Sequence, residues 1–244
     1  MSTSDRGRTV VRRRSSFFSP SPSPPPVGEK DEKLFTTDNR HFSMLRQLEY
    51  ADYITMMNCF CGFNSIVSTC RYIMSGYGSS NYAFRAMFLT FLGFFFDVFD
   101  GRVARWMNKS SLMGKELDSL ADLVSFGVAP AAIGFSLGLQ TTLDVFLLTF
   151  FVLCGLLRLA RFNVTAAILS KGHDKVSHFE GLPIPSSLGT VAVMSLALRW
   201  NRVHNNLPGG LRFAGSLYEF HPCALIFFLH GCSMISKSLK IPKL

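Results

Sequence analysis

The sequence predicts an all-α, polytopic membrane protein: six transmembrane helices with a short N-terminal interfacial helix. Three observations carry this reading. Of 244 residues, 48% are hydrophobic and only 17% charged, with 24 Phe, and the mean hydropathy is +0.25. Six apolar stretches follow a polar tail, each near the ~20 residues that cross a bilayer. Lys and Arg collect in alternate gaps between those stretches. The composition excludes a disordered chain, a collagen-like fibre and a disulfide-stapled mini-domain, and argues against an ordinary soluble enzyme.

Taken in order, residues 1–40 read as a disordered tail. Ser and Pro alternate from Ser15 to Pro26 behind the basic run Arg12-Arg13-Arg14, a composition with too little apolar surface to order itself. No apolar stretch precedes Pro20, so a cleaved secretory signal is not expected. A phosphorylatable cytosolic tail fits better. The transmembrane domain is expected over 41–244. Phe42, Met44, Leu45 and Leu48, mixed with Arg46 and Glu49, suit a short interfacial helix. The six spans cover roughly 51–75, 82–106, 116–138, 143–162, 182–200 and 221–239. Gly134 and Gly138, four apart, suit close helix packing. Pro183 and Pro185 suit the opening of span five, where a missing N–H costs little.

The net charge is +9, from 25 Lys+Arg against 16 Asp+Glu, and the pI is about 9.5. The basic residues border apolar spans, which points to anionic lipid headgroups and no nucleic acid. Nine lie upstream of span one. Arg102, Arg105, Lys109 and Lys115 follow span two, and Arg158, Arg161, Lys171 and Lys175 follow span four. The N-terminus, these two loops and the C-terminus are therefore expected in the cytosol. Arg199, Arg202 and Arg212 after span five break the pattern. The sequons at Asn108 and Asn163 would fall on the cytosolic side, where glycosylation would contradict this orientation. The six Cys have no zinc-type spacing and read as reduced, packed thiols. The histidines have no metal-ligand spacing either, so loop or interface roles are expected.

The informative stretch runs from Asp97 to Asp122. Asp97 and Asp100 are three apart, and Gly101 and Ala104 continue their face. On the next helix Ser111, Gly114, Asp118 and Asp122 again share one face. The short connection over 106–113 lets the two helices run antiparallel with these faces opposed. Gly101, Ala104 and Gly114 either bring the backbones together or leave room for a bulky ligand. Four carboxylates inside apolar helices are costly as bare anions and repel one another. Divalent cations solve both problems, and an all-Asp oxygen set suits Mg²⁺ or Mn²⁺, which keep positions open for substrate phosphates. Two other readings stand beside this one. Asp97 or Asp100 paired with Arg102 or Arg105 would be purely structural, and a cation-coupled transporter also uses intramembrane carboxylates.

The pattern Asp-x2-Asp-Gly-x2-Ala-Arg-x8-Gly-x3-Asp-x3-Asp is filled at every fixed position by Asp97, Asp100, Gly101, Ala104, Arg105, Gly114, Asp118 and Asp122. It resembles the signature of the CDP-alcohol phosphatidyltransferases, and the likeness covers roughly residues 45–244. The runs 118–130, 157–163, 179–187 and 234–243 look like the branch of that family that takes serine as acceptor, in its fungal form. The resemblance implies that Asp97, Asp100 and Asp118 hold two divalent ions. It implies that Asp122 completes the second site and acts as general base. It also implies that Gly101, Ala104, Arg105, Ser111 and Gly114 contact CDP-diacylglycerol, and that Thr55 and Asn58 reach its nucleotide; helix packing is the other reading of that last pair.

A serine carboxylate needs a cation, and Arg158 and Arg161, three apart at the cytosolic end of span four, supply two. With Phe162 and Asn163 they form the candidate acceptor site; the alternative is that they are lipid-facing anchors. The resemblance implies transfer of the phosphatidyl group of CDP-diacylglycerol to L-serine, with release of CMP. It implies a homodimer and, through the fungal likeness, the endoplasmic reticulum membrane. Inositol or glycerol phosphate as acceptor remains an alternative, as does the transporter.

Overall fold

The computed structural model describes residues 48–107, 112–171, 178–213, 215, 218–236 and 240–242. The tail, most of the expected interfacial helix, Ser111 and the Asn108 sequon lie outside them. Seven α-helices account for most of the described chain. They are α1 (Tyr50–Met74), α2 (Ser80–Trp106), α3 (Leu112–Asp122), α4 (Ala129–Ser136), α5 (Thr142–Lys171), α6 (Leu188–Arg199) and α7 (Ala224–Ile235). Among the described residues, three helical stretches are long and apolar enough to cross a membrane: Ser80–Trp106, Met113–Ser136 and Thr142–Thr165. The protein is an integral membrane protein built from helices.

α1 shows how the bundle is organised. Its buried residues include Asp52, Thr55, Asn58, Gly62, Ser65, Thr69 and Tyr72 at helical spacing. Its exposed residues include Tyr53, Met56, Phe60 and Phe63. Polar groups point inward and large apolar groups outward, because lipid leaves no hydrophobic reward for burying Phe. α2 answers with a small-residue face: Ala83, Ala86, Thr90 and Gly93 are buried. Ser65 Oγ donates to the Ala86 carbonyl at 2.8 Å and lies 3.1 Å from Thr90 Oγ1. The turn between the helices places Gly76 and Tyr77 at φ +64°, which glycine accepts freely and tyrosine only under local constraint.

The third span is interrupted. Between α3 and α4, residues Leu123–Val128 form a π-helical turn. Pro130, in the first turn of α4, has no N–H to give the Phe126 carbonyl, so the α-helical ladder cannot run through. Gly62 lets α1 come against this turn: a Cβ there would run into the Ser125 hydroxyl and lie 2.9 Å from Ser125 Cα.

α5 is longer than expected, continuing past residue 162 to Lys171. α7 is shorter, beginning only at Ala224. A 3₁₀ turn over Ile184–Ser187, with Pro183 before it, opens α6, as the proline pair suggests. Phe126, Phe151, Ile184, Phe227 and Met234 form the core between α5, α7 and the π turn. Gly134 makes its close approach within the chain, against Phe227 and Leu148. Gly138 sits beyond the end of α4 at φ +127°. One feature outside the all-helical expectation is a short antiparallel ribbon pairing β1 (His178–Glu180) with β2 (Lys240–Pro242), Phe179 opposite Ile241.

At the end of the bundle away from Asp97–Asp122, Asp144 is fully buried. It accepts the His221 backbone N–H at 2.9 Å, and its other oxygen lies 2.6 Å from His221 Nδ1. Nearby, the Tyr72 hydroxyl is 3.1 Å from His204 Nε2; burial pushes the His204 imidazole below its ordinary pKa. All six cysteines are free thiols, as their spacing indicates.

Candidate active site

The fold brings the acidic residues of α2 and α3 together. Carboxylate oxygens of Asp97, Asp100 and Asp118 all lie within 4.8 Å of one another. Asp122, one turn beyond Asp118, is within hydrogen-bonding reach of Asp97. The expected antiparallel, face-to-face arrangement of the two helices is therefore present.

Two of these groups are held from behind by α1. Thr55 Oγ1 donates to Asp100 Oδ2 at 2.6 Å, and Asn58 Nδ2 donates to Asp122 Oδ1 at 3.2 Å. Asn58 is fully buried. Its backbone carbonyl accepts Ser125 Oγ at 3.0 Å, so the π turn and α1 are pinned at the same residue. Gly93 on α2 makes room for it: a Cβ there would come 2.9 Å from Asn58 Oδ1.

A cleft of about 110 Å³ opens beside the cluster, lined in part by Asp100, Gly101, Ala104, Gly114 and Asp118. A Cβ on Gly101 would meet nothing nearer than the Arg105 guanidinium at 4.0 Å. Gly101 thus borders open space rather than a neighbouring helix. Arg105 Nε donates to the Gly101 carbonyl at 2.8 Å, which holds its guanidinium beside Gly101. Ala51 and Thr55 of α1 also line it, as do Glu49, Asp52 and Lys115, and these last three do not stand out in the sequence. Asp52 is buried and caps α1 by accepting the Glu49 N–H at 2.8 Å, so its i, i+3 capping position is the one sequence signal for it.

The cluster fits a divalent cation. Asp118 Oδ1 is buried without a hydrogen-bond partner, a costly state for a carboxylate oxygen that a cation would relieve. The donor set is all oxygen, as Mg²⁺ and Mn²⁺ prefer.

On the acceptor side, Arg158 lies half-buried on α5, its guanidinium 5.8 Å from the centre of the Phe162 ring and within electrostatic range of Asp122. Arg161 Nη1 donates to the Ile235 carbonyl at 3.4 Å, tying α5 to the end of α7. Asn163 faces α3: its Nδ2 donates to Glu116 Oε2 at 3.2 Å, and its Oδ1 accepts Ser119 Oγ at 3.1 Å. Ser111 lies outside the described residues.

The fold and site define a class: a helical membrane protein with an acidic, metal-fitting cluster beside a small cleft at one end of its bundle. The CDP-alcohol phosphatidyltransferase family matches residues 48–227, and the chain belongs to that family. It is 56% identical over 240 residues to the CDP-diacylglycerol–serine O-phosphatidyltransferase of Saccharomyces cerevisiae, covering 97% of this chain and 86% of that protein. The enzyme of the same name from Methanocaldococcus jannaschii is 31% identical over 204 residues, 82% of this chain and 89% of its own. That from Bacillus subtilis is 35% identical over 144 residues, 58% of this chain and 72% of its own. The family uses divalent metals, in keeping with the three clustered aspartates.

Proposed function

We infer that this chain transfers the phosphatidyl group of CDP-diacylglycerol to the hydroxyl of L-serine, giving phosphatidylserine and CMP. The observation that carries this is 56% identity across 97% of the chain to a protein named for that reaction.

In this reading Asp97, Asp100, Asp118 and Asp122 hold two Mg²⁺ or Mn²⁺ ions, which when bound would neutralise charge on the pyrophosphate and on departing CMP. Gly101 admits the pyrophosphate to bare backbone, and Arg105 forks onto its oxygens. Ala104 and Gly114 leave room for the lipid beside it. Asp122 accepts the proton of the serine hydroxyl. Asn58 occupies one oxygen of Asp122 and fixes the direction of the other. The serine oxygen then bonds to the phosphorus carrying diacylglycerol as the bond from that phosphorus to CMP breaks. Arg158 faces the serine carboxylate, with Arg161 and Phe162 shaping that side.

The seven helices are read as six spans, α3 through α4 counting as one. The excess of Lys and Arg at the Asp-cluster end supports a cytosolic active site, and the yeast likeness supports the endoplasmic reticulum. The transmembrane domain is read as residues 41–244, with the Ser/Pro-rich, basic stretch 1–40 taken as a segment apart on its composition. A homodimer is proposed on the family resemblance alone, and cross-linking in intact membranes checks it.

The test is a parallel acceptor assay. Purified protein receives CDP-diacylglycerol, Mn²⁺ or Mg²⁺, and labelled serine, inositol or glycerol phosphate. Serine-dependent CMP release with labelled phosphatidylserine is expected. Release with another alcohol alone would remove serine and leave the chemistry; ion flux in liposomes with no CMP would remove both.

A further inference from the structure

We propose that Asn163 is a positioning residue: a polar strut that sets the spacing between the helix holding the acceptor and the helix holding the base. It is not itself a serine contact. This rests on the serine-transfer reading above.

The cation for the serine carboxylate is on α5, at Arg158. The group that takes the serine proton is on α3, at Asp122. The two helices touch each other only sparsely, so packing alone does little to fix their separation. Asn163 spans the gap with both ends of its amide. Nδ2 donates to Glu116 Oε2 at 3.2 Å and Oδ1 accepts Ser119 Oγ at 3.1 Å. Each end meets a partner of the opposite kind, so the amide has one orientation, with its nitrogen and its oxygen both turned to α3. The Ser119 hydroxyl lies 3.1 Å from the Lys115 carbonyl as well, so its one proton is shared between that carbonyl and Asn163 Oδ1.

The placement gives the strut leverage. Glu116 and Ser119 are three apart on α3, and Asp122 is three further on, so the strut lands within a turn of the base. On α5, Asn163 follows Phe162 directly and lies five residues, about 7.5 Å of rise, beyond Arg158. The Arg158 guanidinium rests over the Phe162 ring and within range of Asp122. A shift of α5 against α3 therefore moves the acceptor's carboxylate anchor relative to the base. Transfer to an alcohol is sensitive to sub-ångström alignment, and a misaligned alcohol leaves the activated phosphorus open to water.

The experiment is a mutant cycle read by two products at once: CMP for total turnover and phosphatidylserine for transfer to serine. Asn163→Ala is expected to raise the serine KM and lower kcat, with kcat/KM falling roughly three- to thirty-fold. The ratio of CMP to phosphatidylserine should rise above one as water competes. Ser119→Ala should act in the same direction, and the double variant should be no worse than the poorer single one. Asn163→Asp faces Glu116 with like charge and should be defective. Adding Glu116→Gln supplies an amide donor in place of the lost one and should restore both KM and product ratio. A general loss of folding would not be repaired by that exchange.

If Asn163→Ala raises the serine KM while Ser119→Ala keeps wild-type kinetics and Glu116→Gln fails to rescue Asn163→Asp, then Asn163 touches serine and the strut is wrong. Wild-type kinetics in Asn163→Ala would overturn it equally. A wild-type protein that releases no CMP with serine would overturn the assigned acceptor instead. The same cycle, run with whichever alcohol does release CMP, would then decide the strut.

Discussion

Gly62→Ala removes no functional group and should nevertheless disable the site. A Cβ at Gly62 would strike the Ser125 hydroxyl and lie 2.9 Å from Ser125 Cα. Carbon atoms prefer about 3.5–4.0 Å, so α1 and the π turn must part by roughly 0.6–1 Å. The Ser125 hydroxyl must turn away, losing its 3.0 Å bond to the Asn58 carbonyl. Overpacking of this kind costs about 1–3 kcal/mol and the lost bond about 1 kcal/mol. Better helix propensity returns up to about 1 kcal/mol. A net loss of about 1–3 kcal/mol follows, a fall of several degrees in Tm for a chain of this size. Catalysis should suffer more than stability, because Asn58 orients Asp122 and a displacement near 1 Å costs about a hundred-fold in rate. The assay is serine-dependent CMP release from detergent-purified protein, with thermal unfolding in parallel. Gly189→Ala on α6 is the control: nothing lies within 4 Å of its Cβ, so activity should be unchanged and Tm equal or slightly higher. Wild-type kcat in Gly62→Ala would refute the claim that this contact aligns the base.

Four further outcomes are expected. Asp122→Asn should lower kcat by about 10²–10⁴-fold, the range for a lost general base, while binding of CDP-diacylglycerol falls only several-fold; near-normal turnover would reject the assignment. Chelation by EDTA should abolish CMP release and Mn²⁺ or Mg²⁺ should restore it, with Asp118→Asn requiring about ten-fold more metal or worse. Thr55→Val, which deletes the 2.6 Å bond to Asp100, should cost about 10–100-fold in metal affinity or activity, and Thr55→Ser should recover most of it. Asp144→Ala should strip His221 of two partly buried bonds and lower stability by about 2–4 kcal/mol, seen as a lower Tm. Its kcat measured well below that Tm should hold, because Asp144 sits at the other end of the bundle.

The carboxylate site was legible because its spacing works at one level. Positions three, four and seven apart define a helix face whatever surrounds them, and Asp97, Asp100, Gly101, Ala104, Gly114 and Asp118 duly share one place in the fold. The π turn was not legible, since it depends on Pro130 acting together with the Gly62–Ser125 approach, 63 residues apart in the chain. The partners of Asn163 were hidden for a related reason. Beside two arginines it resembles a ligand, and only the folded chain brings Ser119 and Glu116 to its amide. The overshoot of α5 to Lys171 escaped because hydropathy marks where lipid ends and not where a helix ends. Asp144 and His221, 77 positions apart, leave no local pattern at all.

These cases share a physical root in the inverted polarity of the bundle. In water the inward face of α1 would be its apolar one, and catalytic polar groups would be placed against the grain of packing. In lipid, the polar face is the packing face. Ser65 joins α1 to α2 through the Ala86 carbonyl and Thr90, and about two to three turns earlier the same face supplies Asn58 to Asp122 and Thr55 to Asp100. The row that holds the helices together is continuous with the row that orients the carboxylates. Substitutions along it should therefore couple stability to turnover increasingly as they approach Thr55. Those on the outward aromatic face, at Phe60 or Phe63, should affect neither beyond the loss of lipid contact.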